Sequence, residues 1–259
     1  MGKQKERMKN KLGIAITTIF LLMEIIIYLA FMYLDSSENS SYIISNNLKF
    51  IGIILCFLFS VILHSKDMDQ TDMYILRGAL LFTLISDLFI LILDHYTLGT
   101  LTFCIVQLLY LIRIYRFRKQ MDNNSSILKY LIRNVLITLG VLCILMSIRI
   151  EFDWLVIISV LYFVSIVLNV RDAVWVAYKT KSLKTIIFAI GMVLFLLCDI
   201  NVLLFNISDF VAIDSALFSN VYAFAAIAMW MFYLPAQVGI AISGASFIFL
   251  KRGKYKGKS

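Results

Sequence analysis

Long apolar segments separated by short polar connectors run along almost the whole chain. Each segment holds about 20 residues, the length an α-helix needs to cross the ~30 Å hydrocarbon core of a bilayer. None shows the alternation of apolar and polar residues that is typical of a membrane β-barrel. The pattern predicts eight transmembrane helices, at residues 12–34, 48–63, 74–93, 99–115, 130–148, 154–176, 184–205 and 222–249.

The composition also indicates an all-α polytopic membrane protein. Hydrophobic residues make up 61% of the 259 residues, and charged residues only 15%. An ordinary soluble domain is about half apolar, so this chain has too few polar residues to cover a soluble core. No soluble domain remains outside the apolar segments. The sequence therefore predicts a single integral membrane domain over residues 1–259.

Basic residues are concentrated on one face of the predicted membrane domain. When the connectors are placed alternately on the two faces, nearly all of the 24 Lys and Arg fall on one of them, and only Lys49 and Arg149 on the other. By the positive-inside rule, the basic face and both termini are cytoplasmic. We therefore interpret the net charge of +8 as a topology signal and a contact with bilayer lipids in the cell membrane, and predict no nucleic-acid partner.

The eight predicted helices divide into two groups of four at the polar connector formed by residues 122–126. Both groups enter the membrane from the same face, as two four-helix repeats in parallel orientation would. We expect repeat halves at residues 12–121 and 127–250. The third and seventh helices each carry one aspartate near the outer end, Asp87 and Asp199, so we expect the two carboxyl groups at about the same depth.

Asp87 and Asp199 are the strongest candidates for function. A carboxylate inside an apolar segment is costly to keep dry, so it must be paired, hydrated or held neutral. Two carboxyl groups in one apolar site separate into an acid and a base, which is the arrangement that glycosidases use on an acid-labile bond. The alternative is a structural role, in which both residues hold helices together through hydrogen bonds.

Four further polar residues are candidates for substrate binding. Gln107 and Gln237 lie near mid-depth, although amide hydrogen bonds between helices are also common packing devices. Tyr233 precedes Gln237 by one helical turn, and Pro235 between them removes a backbone hydrogen bond and frees a carbonyl. Lys49 opens the second predicted helix on the outer face, where it either contacts a headgroup or extends to the interface as an anchor.

No motif indicates a metal or a cofactor. The two histidines are assigned to opposite faces, and the four cysteines lie within predicted helices without Cys-x-x-Cys spacing. The chain also has no Gly-x-Ser-x-Gly elbow and no nucleotide-binding loop. We therefore predict chemistry that uses side chains alone.

Four motifs taken together resemble the YhhN-like lysoplasmalogenase family. They are Lys49, the segment 82–87 (FTLISD), the segment 191–199 (GMVLFLLCD) and the segment 233–237 (YLPAQ). The resemblance extends over residues 48–243 and keeps the order and spacing of the motifs.

The resemblance implies an eight-span membrane enzyme that hydrolyses the vinyl ether bond of lysoplasmalogens. The products would be a fatty aldehyde and a glycerophospho-choline or -ethanolamine, and a lysophospholipid would be the partner. Asp87 and Asp199 stand at the catalytic aspartates of the family. The residues implied to line the same pocket and bind substrate are Lys49, Gln107, Tyr233 and Gln237.

Three positions depart from the family pattern. Ser86 stands where Gly is usual, Cys198 where Ser is usual, and Gln107 where His is common. Glutamine cannot carry a proton at neutral pH, so a catalytically inactive protein that binds lysolipid is one alternative function. A proton-coupled transporter or flippase is another, since it too uses repeats, a kinked helix and membrane carboxylates.

Overall fold

The computed structural model describes residues 2–37, 42–62, 69–122, 126–147, 153–206 and 215–245. Within these residues the chain forms eight α-helices and no strand. Each helix is long and apolar enough to span a membrane, so the prediction of an eight-helix membrane protein is confirmed. The helices are α1 (Gly2–Ser36), α2 (Tyr42–Ile62), α3 (Gln70–Asp87), α4 (Tyr96–Lys119), α5 (Ile127–Ser147), α6 (Trp154–Thr180), α7 (Leu183–Asn206) and α8 (Ser215–Ser243).

Two helices extend beyond their predicted ends into polar stretches. Helix α2 begins at Tyr42 instead of residue 48, and its added turns bury Ser45 and Asn46. Helix α4 continues to Lys119 instead of ending at residue 115, and the polar residues of its added turn, Arg116, Arg118 and Lys119, are partly or fully exposed. Helix α8 ends at Ser243 instead of residue 249.

Six helices form a closed ring, and two pack on its outside. Around the ring, α2 contacts α3, α3 contacts α4, α4 contacts α6, α6 contacts α7, α7 contacts α8, and α8 returns to α2. Helix α1 packs on α2 and α8, whereas α5 packs on α6 and only weakly on α4. If α1, α2, α3 and α4 are exchanged in order with α5, α6, α7 and α8, the contacts named above are again pairs of neighbouring helices. The repeat halves themselves stay a prediction.

A π-helical turn, Leu88–Ile92, directly follows α3 and places Asp87 at the junction. Gly99 near the start of α4 packs against this turn, and a Cβ there would collide with the side chain of Ile90. The Ser86 hydroxyl donates to the Thr102 hydroxyl on α4 at 2.7 Å. The backbone around Asp87 is thus held against α4. Turns of this kind are frequent at functional sites.

The backbones of helices α7 and α8 approach each other closely at Gly191. A Cβ at Gly191 on α7 would lie 3.0 Å from the backbone oxygen of Ala236 and 3.0 Å from the backbone nitrogen of Ile240, both on α8. Such a small residue lets two helix backbones approach each other. The contact fixes the position of α8, which carries Tyr233 and Gln237.

A buried ion cluster joins four helices at one end of the bundle. Asp72 on α3 pairs with Arg113 on α4, at 2.9 Å from Oδ1 to Nε and 3.2 Å from Oδ2 to Nη2. Lys184 on α7 lies 2.5 Å from the same carboxylate, and Arg113 donates to the Ser243 hydroxyl on α8 at 2.8 Å. We call these four residues the Asp72 cluster. We call the end of the bundle that contains the Asp72 cluster the basic end. The last residues of α4 and α6 and the first residues of α5 also lie there.

We expect Gly191→Ala to destabilise the protein by about 1–3 kcal/mol, because the added methyl group must push α8 away from α7. Thermal unfolding in detergent measures the effect. Gly140→Ala on α5 is the matched control, since a Cβ there meets nothing within 4 Å. Alanine has the better helix propensity, so the control should be neutral or slightly stabilising. Equal loss in both variants would contradict this packing.

We expect Asp72→Asn to cost about 3–5 kcal/mol of unfolding free energy, because Arg113 and Lys184 then remain buried without their counter-charge. Asp69→Asn is the control. Asp69 pairs with Arg116 at positions 38% and 33% exposed, and asparagine still caps α3. An exposed pair contributes about 0–1 kcal/mol. Similar losses in the two variants would show that the Asp72 cluster does not hold the bundle.

Candidate functional site

Asp87 is bound by a tyrosine from across the bundle. The Tyr233 hydroxyl on α8 donates to Oδ2 of Asp87 at 2.6 Å. Asp87 is only 3% exposed, and Tyr233 is buried as well. The structure therefore brings together two of the residues that the sequence selected independently. Their hydrogen bond joins α3 to α8.

Asp199 has a matching partner that sequence analysis missed. The Tyr162 hydroxyl on α6 donates to Oδ2 of Asp199 at 2.7 Å. Tyr162 is buried, whereas Asp199 is half-buried. In an aromatic-rich membrane chain a tyrosine in an apolar helix has no sequence signal that separates it from packing residues. Each candidate carboxyl group thus accepts a hydrogen bond from one tyrosine.

Two phenylalanines connect the two aspartate–tyrosine pairs. The Phe103 ring lies 5.7 Å from that of Tyr162 and 5.9 Å from that of Phe195, and Phe195 lies 5.7 Å from Tyr233. The Cys198 thiol is within electrostatic reach of both carboxyl groups. The two pairs therefore face one region of the interior. We call Asp87, Asp199, Tyr162 and Tyr233 the aspartate site.

Lys49 lies inside the protein. The expectation that it opens its helix is wrong, because α2 begins at Tyr42 and leaves Lys49 only 4% exposed. Its Nζ lies 2.9 Å from Oδ2 of Asp35 on α1 and 4.2 Å from the ring centre of Trp230. The Trp230 ring in turn lies 5.7 Å from that of Tyr233. Lys49 is thus connected to the aspartate site through aromatic contacts.

The two candidate glutamines have different surroundings. The Asn169 side chain on α6 donates to Gln107 twice, at 2.8 Å to its backbone oxygen and at 3.0 Å to its Oε1. Gln237 is fully buried one turn from Tyr233, and neither polar atom of its side chain has a hydrogen-bond partner among the described residues. The oxygens of Gln107 therefore make a structural contact, and only its Nε2 has no partner among the described residues, whereas both polar atoms of Gln237 are left to bind a substrate or water.

Pro235 lies inside α8, as the sequence predicts. The carbonyl of Met231, which loses its helical donor to the proline, accepts from the Tyr28 hydroxyl on α1 at 3.4 Å. Contact with α1 therefore satisfies the freed group.

Helix α1 adds a third buried carboxyl group at the edge of the site. Glu24 is buried, and its Oε1 accepts from the Cys56 thiol on α2 at 3.5 Å. Cys56 is itself within electrostatic reach of Asp87. Together with Asp35 and Tyr28, Glu24 gives α1 polar contacts with α2 and α8.

A model of the protein family described as the YhhN family matches residues 46–244, well over half of the chain. The chain therefore belongs to the YhhN family. No curated protein and no solved structure matches it. The matched residues include the whole aspartate site of this YhhN protein, whereas α1 lies outside them.

The three positions expected to depart from the family pattern all take part in packing. Ser86 ties α3 to α4 through Thr102, and Gln107 ties α4 to α6 through Asn169. Cys198 is buried in the apolar core. None of them removes a carboxyl group or a tyrosine from the aspartate site. The site therefore keeps two groups that can donate or accept a proton, each oriented by a hydroxyl group.

Proposed function

We propose that this YhhN family protein hydrolyses the vinyl ether bond of lysoplasmalogens. The proposed products are a fatty aldehyde and a glycerophospho-choline or -ethanolamine. The observation that carries the proposal is the pair of carboxyl groups, each hydrogen-bonded to a tyrosine, inside the residues that match the family. A substrate with an alkenyl chain suits such a site, since the chain can stay among apolar side chains while the ether group meets the carboxyl groups.

Asp87 is the proposed acid and Asp199 the proposed base. Burial favours the neutral form of a carboxyl group, and Asp87 is only 3% exposed, so it is assigned the proton; the heavy-water experiment below tests this order against the reverse. Asp87 gives its proton to the alkenyl carbon farther from the ether oxygen. The carboxylate of Asp199 stabilises the resulting oxocarbenium ion and takes a proton from the attacking water. The hemiacetal then collapses to aldehyde and alcohol.

The polar residues around the aspartate site are proposed to position the lipid. Lys49 contacts Trp230, whose ring in turn contacts that of Tyr233. Lys49 would exchange Asp35 for the phosphate of the headgroup. Gln237, whose amide has no hydrogen-bond partner among the described residues, would bind the ether oxygen or the glycerol hydroxyl. These contacts hold the ether group beside Asp87.

Substituting either aspartate should abolish aldehyde release from a lysoplasmalogen, and heavy water should separate their roles. In D2O, Asp199→Asn should still protonate the substrate reversibly through Asp87, although more slowly, because both the water attack and the counter-charge of the oxocarbenium ion are lost. Recovered substrate should then carry deuterium on the alkenyl carbon farther from oxygen, as measured by mass spectrometry. Asp87→Asn should yield neither aldehyde nor deuterium exchange. The reverse pattern would exchange the two roles.

Asp94→Asn is the matched control for these variants. Asp94 is exposed beyond the π-helical turn at φ 53°, a conformation that asparagine tolerates. The Asp94→Asn variant should therefore keep full activity. Full activity in both site variants would rule out the mechanism. A transporter would give pH-dependent uptake into vesicles without aldehyde, and a lysolipid-binding protein would bind the lipid unchanged even after Asp→Asn substitution.

Removing either tyrosine hydroxyl should slow the reaction without stopping it. Asp199 is the proposed carboxylate, and Asp87 becomes one as it gives up its proton. A hydrogen bond to a charged group contributes about 1.5–3 kcal/mol, so Tyr162→Phe and Tyr233→Phe should each lower kcat about 10- to 100-fold. Tyr178→Phe, at an exposed position of α6, is the control and should change nothing. Unchanged kcat in both site variants would mean that the tyrosines do not orient the carboxyl groups.

A further inference from the structure

Three arginines surround one carboxylate at the basic end, well separated along the helices from the aspartate site. Asp172 on α6 is 5% exposed. It lies 2.8 Å from Arg133 on α5, 3.0 Å from its neighbour Arg171 and 3.5 Å from Arg118 on α4. We call these four residues the arginine cluster. They join three helices, and the mechanism proposed above makes no use of them.

Aromatic rings hold two of the guanidinium groups in place. Arg118 lies 4.0 Å from the ring centre of Trp175 on α6, and 5.3 Å from that of Tyr130 on α5. Arg133 lies 5.2 Å from the same Tyr130 ring. Stacking on aromatic rings fixes the direction in which a planar guanidinium presents its donors. The positive charges are thus oriented before any ligand arrives.

The arginine cluster carries more positive charge than its own carboxylate neutralises. Three guanidinium groups face one carboxylate, and Lys179 adds a fourth cation 5.9 Å from the Trp175 ring. Asp122 is a second acidic residue within electrostatic reach of Tyr130, and even with it the four cations outnumber the carboxylates. The Nε of Arg133 is buried, and no hydrogen-bond partner for it is found in the described part of the chain. An anion with several oxygens would complete the cluster.

The surroundings of the arginine cluster select a lipid. Helix α5 packs weakly on α4 and leaves Leu128, Ile132 and Leu136 exposed near the cluster. These side chains provide an apolar surface for acyl chains next to the arginines. We propose that the arginine cluster binds the phosphate of an anionic membrane phospholipid, whose chains lie along α5. Guanidinium groups bind phosphate with paired hydrogen bonds, so the site matches the headgroup chemically. This proposal is independent of the vinyl ether reaction.

Binding can be measured on the full chain, purified in neutral detergent, as a shift of the unfolding midpoint. Added phosphatidylglycerol should raise the midpoint, and phosphatidylcholine should not. The double variant Arg118→Gln/Arg133→Gln should bind phosphatidylglycerol at least about tenfold more weakly, because charged hydrogen bonds are lost. Arg116→Gln is the matched control, since Arg116 also lies near the end of α4 but pairs with Asp69. It should keep the shift.

Asp172→Asn separates a lipid site from a purely structural ion cluster. Without its own carboxylate, the cluster should lose stability in neutral detergent but bind phosphatidylglycerol more tightly, and this lipid should restore the midpoint. If the cluster is purely structural, Asp172→Asn should lose the same stability in phosphatidylglycerol as in phosphatidylcholine. That result would overturn the proposal. If Asp172→Asn does not fold, Arg171→Gln serves instead, because Arg171 is 59% exposed and its loss should weaken the lipid shift alone.

Glycerol 3-phosphate supplies the same phosphate chemistry without acyl chains. It should give no shift at the concentrations at which phosphatidylglycerol acts, because the surface of α5 contributes to lipid binding. An equal shift with this soluble phosphate, or with phosphatidylcholine, would refute an anionic lipid as the ligand.

Discussion

The buried carboxylate of Asp72, paired with Arg113 and Lys184, sets the relative height of the two helices that carry the aspartates, α3 and α7. The contact between Asp72 and Lys184 joins α3 to α7 at the basic end. The same number of residues separates Asp72 from Asp87 on α3 as separates Lys184 from Asp199 on α7. Both spacings correspond to about four helical turns. Joining α3 and α7 at their beginnings therefore favours similar heights for the two carboxyl groups, although their depth in a bilayer stays a prediction.

Length and hydropathy predict the eight helices well because a bilayer imposes both requirements on every span. The aspartates could also be found from the sequence, since a carboxyl group in an apolar segment needs a reason to be there. Tyr162, Asp35 and Asn169 could not be found in this way. Their roles depend on how each helix is rotated about its axis and which helix stands next to it, and neither is written in the hydropathy of a single segment.

The same reasoning explains the errors made at polar residues. The charge pattern counts Arg113 with the basic residues of the cytoplasmic face, yet it is fully buried between Asp72 and Ser243. The sequence puts Lys49 at the outer start of a helix, yet Asp35 and Trp230 surround it. Hydropathy treats a charge as solvated, whereas a bundle can provide a counter-charge and an aromatic ring inside the membrane. Charges near the predicted ends of spans are therefore the residues whose environment the sequence predicts least well.

The position of α1 has a consequence for where this protein can be shortened. The residues matched by the family begin at 46, so a chain cut there would keep Asp87, Asp199 and both tyrosines. It would also lose Asp35, which pairs with Lys49, and Tyr28, which satisfies the Met231 carbonyl beside Pro235. An unpaired ammonium group would then remain in the interior and an unbonded carbonyl on a lipid-facing surface. The unit that keeps these polar groups paired is thus larger than the range matched by the family.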